Sequence, residues 1–148
     1  MAKSGITLKF EGFEELLKDI EAAGRTMNSA VDSCMKQSAQ IAEKELKTQM
    51  RKAQVPDNLT NAMPPPEIEW DGNQCVAKVG YKKGAYDPNN PSDAYKVIFL
   101  NYGTPHRKKH GHVKARGFID KAKKNASRQI KKEQKATLEK ILERLKNG

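Results

Sequence analysis

Residues 116–146 read RGFIDKAKKNASRQIKKEQKATLEKILERLK, and apolar side chains recur in this stretch every three or four positions. The apolar positions are Phe118, Ile119, Ala122, Ala126, Ile130, Leu138, Ile141, Leu142 and Leu145, and Gln134 interrupts them. This spacing predicts an amphipathic helix from Arg116 to Lys146. About 30 residues of helix span roughly 45 Å. Because that length exceeds a core of this size, we expect part of the helix to pack on a neighbouring subunit or to extend into solvent.

The N-terminal part of the chain predicts one strand and two helices. Residues 5–10 alternate apolar and polar side chains, as half-buried strands do. Helical spacing follows at Phe13, Leu16, Leu17 and Ile20. Gly24 is a natural C-terminal end for this helix. A second helix is predicted from about Asn28 to Ala53, with a narrow stripe of small apolar residues that lets a partner element approach closely.

A break and a β-hairpin are predicted next. Pro56 and the run of three prolines at 64–66 interrupt regular structure between residues 54 and 66. Ile68 and Trp70 then alternate with glutamates, and residues 71–73 supply turn-forming side chains before a returning strand. We expect a hairpin here, with Trp70 in the core or in an interface.

Residues 95–102 form the most apolar run of the chain. We interpret it as a strand, ended by Gly103, that is apolar on both faces. Its two faces would carry Tyr95, Val97 and Phe99 on one side and Ile98, Leu100 and Tyr102 on the other. A strand of this kind is covered on both sides. The helices of the same chain would cover one face, and another subunit is expected on the other.

These elements together predict an α+β fold, in which a small antiparallel sheet packs against helices and the chain ends in a long helix. The 148 residues are expected to form a single domain, with an α+β core at 1–104 followed by a basic loop and the helix at 105–148. Only 36% of the residues are hydrophobic and 31% are charged. We therefore expect another subunit to complete some of the apolar faces.

The positive charge of the chain is concentrated near its C-terminal end. Residues 105–148 contain 15 Lys and Arg against 4 Asp and Glu, whereas residues 1–104 are nearly neutral with 13 against 14. Such asymmetry favours DNA or an acidic protein as a partner. The candidate contact residues are Arg107, Lys108, Lys109, Lys114, Lys121, Lys123, Lys124 and Arg128. The alternative is a solvated lysine-rich surface with no partner.

No residue pattern indicates catalysis, so we expect no enzymatic activity, no cofactor and no metal. The three histidines, at 106, 110 and 112, lie in a basic loop that would repel a metal ion, and Cys34 falls on an apolar helix stripe. No apolar stretch is long enough to span a membrane, and the first ten residues have no apolar signal segment. We therefore expect synthesis in the cytoplasm and no membrane partner.

Four segments, in the order of the chain, resemble a known family. They are Leu8–Leu17, Val55–Met63, Ala94–Thr104 and Ala115–Ala122. The most telling are Tyr102-Gly103-Thr104 and Arg116-Gly117-Phe118-Ile119, which are similar to the family's Tyr-Gly-Thr and Arg-Pro-Phe-Leu motifs. The family is that of the minor virion proteins of tailed phages that act in head–tail joining, as neck or tail-completion proteins.

The resemblance implies a structural subunit of the virion, located in its neck or tail, that forms a homo-oligomeric ring around the DNA channel. Its partners would be adjoining neck, connector or tail proteins, with possible non-specific contact to the genomic DNA. The residues expected at subunit or partner interfaces are Tyr95, Val97, Phe99, Leu100, Tyr102, Gly103, Arg116, Phe118 and Ile119. A different class of function stays open at this point. It is a small basic protein that binds nucleic acid without sequence preference, which would show a steep salt dependence.

Overall fold

The computed structural model describes residues 4–72, 74–82, 89, 91–104 and 114–147 of the chain. Within this part, three strands and five helices follow one another in the order β1, α1, α2, α3, β2, β3, α4, α5. The predicted α+β class, with a small antiparallel sheet and a long C-terminal helix, is confirmed. None of the helices described is long and apolar enough to cross a membrane.

The sheet consists of β1 (Gly5–Lys9), β2 (Glu67–Asp71) and β3 (Gln74–Gly80), with β3 in the middle. Both neighbours of β3 are antiparallel to it, and β2 and β3 form the predicted hairpin. Gly5 lies opposite Gly80, and a Cβ atom on Gly80 would lie only 2.5 Å from the Cα of Gly5. Gly5, the first residue of β1, and Gly80, the last residue of β3, approach each other too closely for either to carry a side chain.

The first two helices, α1 (Glu14–Ala22) and α2 (Met27–Lys52), end in the same way. In each, the chain turns through a residue of positive φ, Gly24 after α1 and Gln54 after α2. The amide of the next residue then reaches back to a carbonyl in the last turn, from Arg25 to Ile20 and from Val55 to Met50. The predicted end at Gly24 is confirmed. A short helix, α3 (Asp57–Asn61), follows α2 in the predicted break.

The core lies between the sheet, α2 and the long helix α5 (Phe118–Asn147). Helix α5 runs antiparallel to α2, because Gln37 contacts Thr137 while Glu45 contacts Asn125. Side chains of α5 are buried from Phe118 to Ile141, and Leu142 and Leu145 also pack on the core. The expected overhang is therefore wrong, since a 26-residue partner helix within the same chain covers the apolar stripe of α5.

Gln134, which interrupts the apolar stripe of α5, is 5% exposed and contributes to the contact with α2. Its side-chain amide donates to the hydroxyl of Ser38 at 3.0 Å, and its backbone carbonyl accepts from the thiol of Cys34 at 3.9 Å. Ser38 in turn donates to the carbonyl of Cys34. A small polar network thus lies inside an otherwise apolar helix pair.

The predicted strand at residues 95–102 is wrong, because residues 93–102 form the helix α4 (Asp93–Tyr102). Its buried residues are Ala94, Val97, Ile98 and Asn101, which have the spacing of one helix face. A short apolar run does not distinguish a buried strand from a helix by periodicity alone. Gly103 therefore ends a helix, and its φ of 79° is a conformation suited to glycine.

Candidate interaction surfaces

The end of α4 and the start of α5 are joined by three hydrogen bonds. The backbone amides of Arg116 and Gly117 donate to the carbonyls of Leu100 and Asn101 at 3.1 and 3.0 Å. The amide of Ile119, in the first turn of α5, donates to the side-chain oxygen of Asn101 at 2.8 Å. The chain that leaves α4 after Thr104 therefore returns to the same place, and we call this region the α4–α5 junction.

Arg116 attaches the junction to the C-terminal end of α2. Its Nη1 donates to the carbonyls of Ala53 and Gln54, at 3.2 Å each. The last carbonyls of a helix have no partner within the helix and carry partial negative charge, so a guanidinium group is well suited to them. Arg116, which the sequence places at an interface, thus has a partner inside its own chain, although the residue stays exposed to solvent.

The predicted interface residues fall into two groups. Val97, Phe118 and Ile119 are buried inside the chain and contribute to its hydrophobic core. The others reach the surface: Tyr95, Phe99, Leu100 and Gly103 are half-buried, and Tyr102 is 43% exposed. The rings of Tyr95 and Phe99, one helical turn apart, are in contact with their centroids 6.5 Å apart.

A cleft of about 380 Å³ opens beside this face of α4. Its apolar lining comes from Pro56 and Leu59 near α3 and from Phe99 and Leu100 of α4. Charged groups of opposite sign, Asp93 and Lys96, also line it. The surface-exposed part of the predicted interface therefore includes a concave apolar site of the kind that receives a side chain of another molecule.

A basic surface begins at the junction and continues along α5. Of the predicted contact residues, Lys114, Lys121, Lys123, Lys124 and Arg128 are exposed, and Arg107, Lys108 and Lys109 lie outside the described residues. Further exposed cations at 131, 132 and 135 continue the surface on the side opposite the buried stripe. Among the residues described, ion pairs form only between β-strand glutamates and Lys78 or Lys82, so none neutralises this surface.

A second surface, which sequence reasoning missed, lies where α2 begins. Phe10, Leu17, Met27, Val31 and Trp70 line a groove of about 370 Å³, which we call the Trp70 groove. Among the described residues, the large hydrophobic side chains that stay exposed are Met27 at 37%, Trp70 at 38% and Tyr102 at 43%. Two of these three belong to this one groove.

The rim of the Trp70 groove is acidic. Glu11 and Glu14 line the groove directly, and Asp32 accepts a hydrogen bond from the indole nitrogen of Trp70 at 3.0 Å. Residues 11–32 contain six acidic side chains and two basic ones. The sequence signal was Trp70 on an alternating strand, which predicted a place in the core or in an interface, but the alternation did not show that its face stays open.

The buried titratable groups show no arrangement for chemistry. Burial raises the pKa of the Cys34 thiol to about 11, and burial together with the nearby Asp32 raises the pKa of Cys75. Burial and Asp93 raise the pKa of Tyr81 to about 12, and its hydroxyl donates to the carbonyl of Leu59. All three groups stay neutral and unreactive at neutral pH. Within the described part of the chain no three His, Cys, Asp or Glu side chains are grouped to hold a metal ion. The three histidines lie outside it.

No family model, no curated protein and no solved structure matches the chain.

Proposed function

We propose that the chain is a structural subunit of a tailed-phage virion that acts at the head–tail junction, as a neck or tail-completion protein. In this proposal it works by binding and not by catalysis. Copies of the chain form a ring around the DNA channel, and the ring joins adjoining neck, connector or tail proteins. The resemblance of four sequence segments to such proteins is the first support for it.

The observation that carries the proposal is the α4–α5 junction. The two most telling segments of the resemblance, around Tyr102-Gly103-Thr104 and Arg116-Gly117-Phe118, are separated by eleven residues in sequence. They are hydrogen-bonded to each other at Leu100 and Asn101. Arg116 also fastens them to α2. Two motifs that meet in space and share one set of hydrogen bonds form a single unit, which is what a docking element requires.

The basic surface supports a position next to DNA or next to an acidic protein. The exposed cations from Lys121 to Lys135 extend over about 21 Å of α5, since each helical residue adds about 1.5 Å. That length matches about six phosphates along one DNA strand at about 3.4 Å each. No helix-turn-helix or zinc-finger pattern accompanies these cations, so the contact would be independent of base sequence.

The proposal is tested by the mass of the chain in solution, from light scattering on a size-exclusion column at about 0.15 M and 0.5 M salt. We expect a closed oligomer of fixed mass that appears as a ring in negative-stain electron micrographs. In a phage that encodes the chain, its loss should leave filled heads and separate tails. Normal joined virions in that experiment would contradict the proposal, whatever the mass in solution.

A second candidate is a small basic protein that binds nucleic acid without sequence preference. The observation that favours it is the basic surface of α5, in which the described cations have no acidic partner. Such a protein would bind free duplex DNA with an affinity that falls steeply with salt. Each phosphate contact contributes about 0.9 to the slope of log affinity against log salt, so Lys124→Glu should reduce that slope by about one. A chain that assembles into rings and binds free DNA weakly would contradict this candidate.

A further inference from the structure

The Trp70 groove and the α4–α5 junction lie at opposite ends of the same helix. Met27, which lines the groove, is the first residue of α2. Arg116, at the junction, donates to the carbonyls of Ala53 and Gln54, which directly follow the last residue of α2. The 26 residues of α2 span about 39 Å. The two surfaces therefore cannot meet within one chain, although two copies of the chain can bring them together.

The two ends are complementary in charge. The groove is lined by Glu11 and Glu14 and lies in a segment with four more acidic than basic residues. The other end presents Lys114, Lys121 and Lys124, all exposed. We call these three lysines, together with Tyr102 at the α4–α5 junction, the basic end. Contact between two identical patches would set like charges against each other, whereas contact between a groove and a basic end pairs opposite charges.

The two ends also match in their apolar parts. The groove exposes Trp70 and Met27, and the basic end exposes Tyr102. Trp and Tyr are the residue types that most often dominate the energy of protein interfaces. The face of the Trp70 ring is in addition a site at which a lysine ammonium group is attracted by the ring electrons. The groove thus presents apolar and acidic groups, and the basic end presents the aromatic ring and the cations that pair with them.

We propose that the Trp70 groove of one copy binds the basic end of the next copy, so that the chains assemble head to tail. This inference rests on the proposed function and specifies its ring contact. A contact between two different patches generates a closed ring when the rotation from copy to copy closes, and an open filament when it does not. The occupant of the groove is a second copy of this chain.

The test reverses the charges of each end separately. The groove variant carries Glu11→Lys and Glu14→Lys, and the basic-end variant carries Lys121→Glu and Lys124→Glu. All four residues are exposed, so their side chains are free to change without disturbing the core. Light scattering should show at least a tenfold weaker self-association for each variant alone. An equal mixture should assemble like the wild type, because each Lys-bearing groove then meets a Glu-bearing end.

Matched controls separate this contact from general effects of charge. Glu43→Lys with Asp57→Lys makes the same charge change on α2 and α3, outside both the groove lining and the acidic segment 11–32. Lys36→Glu with Lys44→Glu is the control for the basic end, at exposed residues of α2 that belong to neither surface. Both controls should assemble like the wild type. Circular dichroism checks the fold, and Glu11→Gln with Glu14→Gln replaces the groove variant if the lysines prevent folding, with the same expected loss but a smaller one.

Three results would overturn the inference. Normal assembly of the groove or basic-end variant would locate the contact elsewhere, and the ring would stand. A mixture that stays dissociated would show that the two ends do not pair. A wild-type chain that is monomeric up to about 1 mM would rule out the self-contact. A head–tail joining defect in phage lacking the chain would still support the proposed function in each of these cases.

Discussion

The side-chain oxygen of Asn101 accepts a hydrogen bond from the backbone amide of Ile119 at 2.8 Å, so the last turn of α4 caps the first turn of α5. Asn101 is 2% exposed, and no water can replace it there. Asn101→Ala should therefore lower the free energy of unfolding by about 1–2 kcal/mol, the usual loss when a helix cap is removed. Urea unfolding measures it. A loss below about 0.5 kcal/mol for Asn101→Ala, the size of an ordinary surface substitution, would contradict the capping role.

Arg116 connects the α4–α5 junction to α2 through two carbonyls, and this contact is also testable. Arg116→Ala should destabilise the chain by about 1 kcal/mol, because two hydrogen bonds from a charged donor are lost at a solvent-exposed site. Arg116→Lys should recover part of that loss, since an ammonium group reaches one carbonyl more readily than two. Arg128→Ala, at an exposed position of α5, is the control and should change stability by less than about 0.5 kcal/mol. Equal effects at 116 and 128 would show that the contact contributes nothing.

The close approach of β1 and β3 predicts a large effect of a single methyl group. In Gly80→Ala the added Cβ would lie 2.5 Å from the Cα of Gly5, at a φ of 133° that side chains rarely adopt. We expect a loss of about 2 kcal/mol or more, measured by thermal or urea unfolding. Gly72→Ala, at a φ of 61° with open space around the new methyl group, should cost only about 1 kcal/mol. Similar losses at both positions would mean that the strand contact adjusts freely.

Much of the fold follows from the sequence because periodicity and chain-breaking residues agree there. The stripe of α5, the end of α1 at Gly24 and the hairpin at residues 67–80 were predicted on such signals. The helix α4 was not, because a short run with six apolar side chains among eight residues does not distinguish a strand from a helix by its period. The structure shows that Ala94, Val97, Ile98 and Asn101 are the buried residues, and one face of a helix carries this spacing whereas one face of a strand does not.

Of the candidate interaction surfaces, the basic surface of α5 was predictable from the sequence and the Trp70 groove was not. The exposed cations of α5 could be recognised because a helix with a known apolar stripe must expose its remaining residues. The Trp70 groove could not, because it is assembled from the segment between β1 and α1, from α1 and α2, and from the hairpin, whose arrangement only the tertiary structure gives. Burial of Val97, Phe118 and Ile119 likewise depends on how the helices and the sheet pack into one core, which the sequence pattern does not give.

The polar network between α2 and α5 predicts effects that do not add. Ser38→Ala removes the acceptor of the Gln134 amide and leaves a buried donor without that partner, which should cost about 1–3 kcal/mol. Gln134→Leu removes the donor and leaves an apolar contact, so adding it to Ser38→Ala should recover most of the loss. A double-mutant cycle of urea unfolding measures the coupling. Strictly additive losses would contradict a direct interaction between the two side chains.

The buried thiol of Cys34 predicts a pH dependence of stability. Its pKa is raised by burial from 9.0 to about 11, so the folded chain keeps the proton that the unfolded chain loses first. The stabilisation from this group is complete below pH 9 and is lost as the pH rises from 9 to 11. Two pKa units correspond to about 2–3 kcal/mol. The difference in unfolding free energy between wild type and Cys34→Ala should therefore shrink over this range, measured by urea unfolding at fixed salt. Because the lysines titrate equally in both chains, their effect cancels, and a difference that stays constant from pH 8 to 11 would contradict the raised pKa.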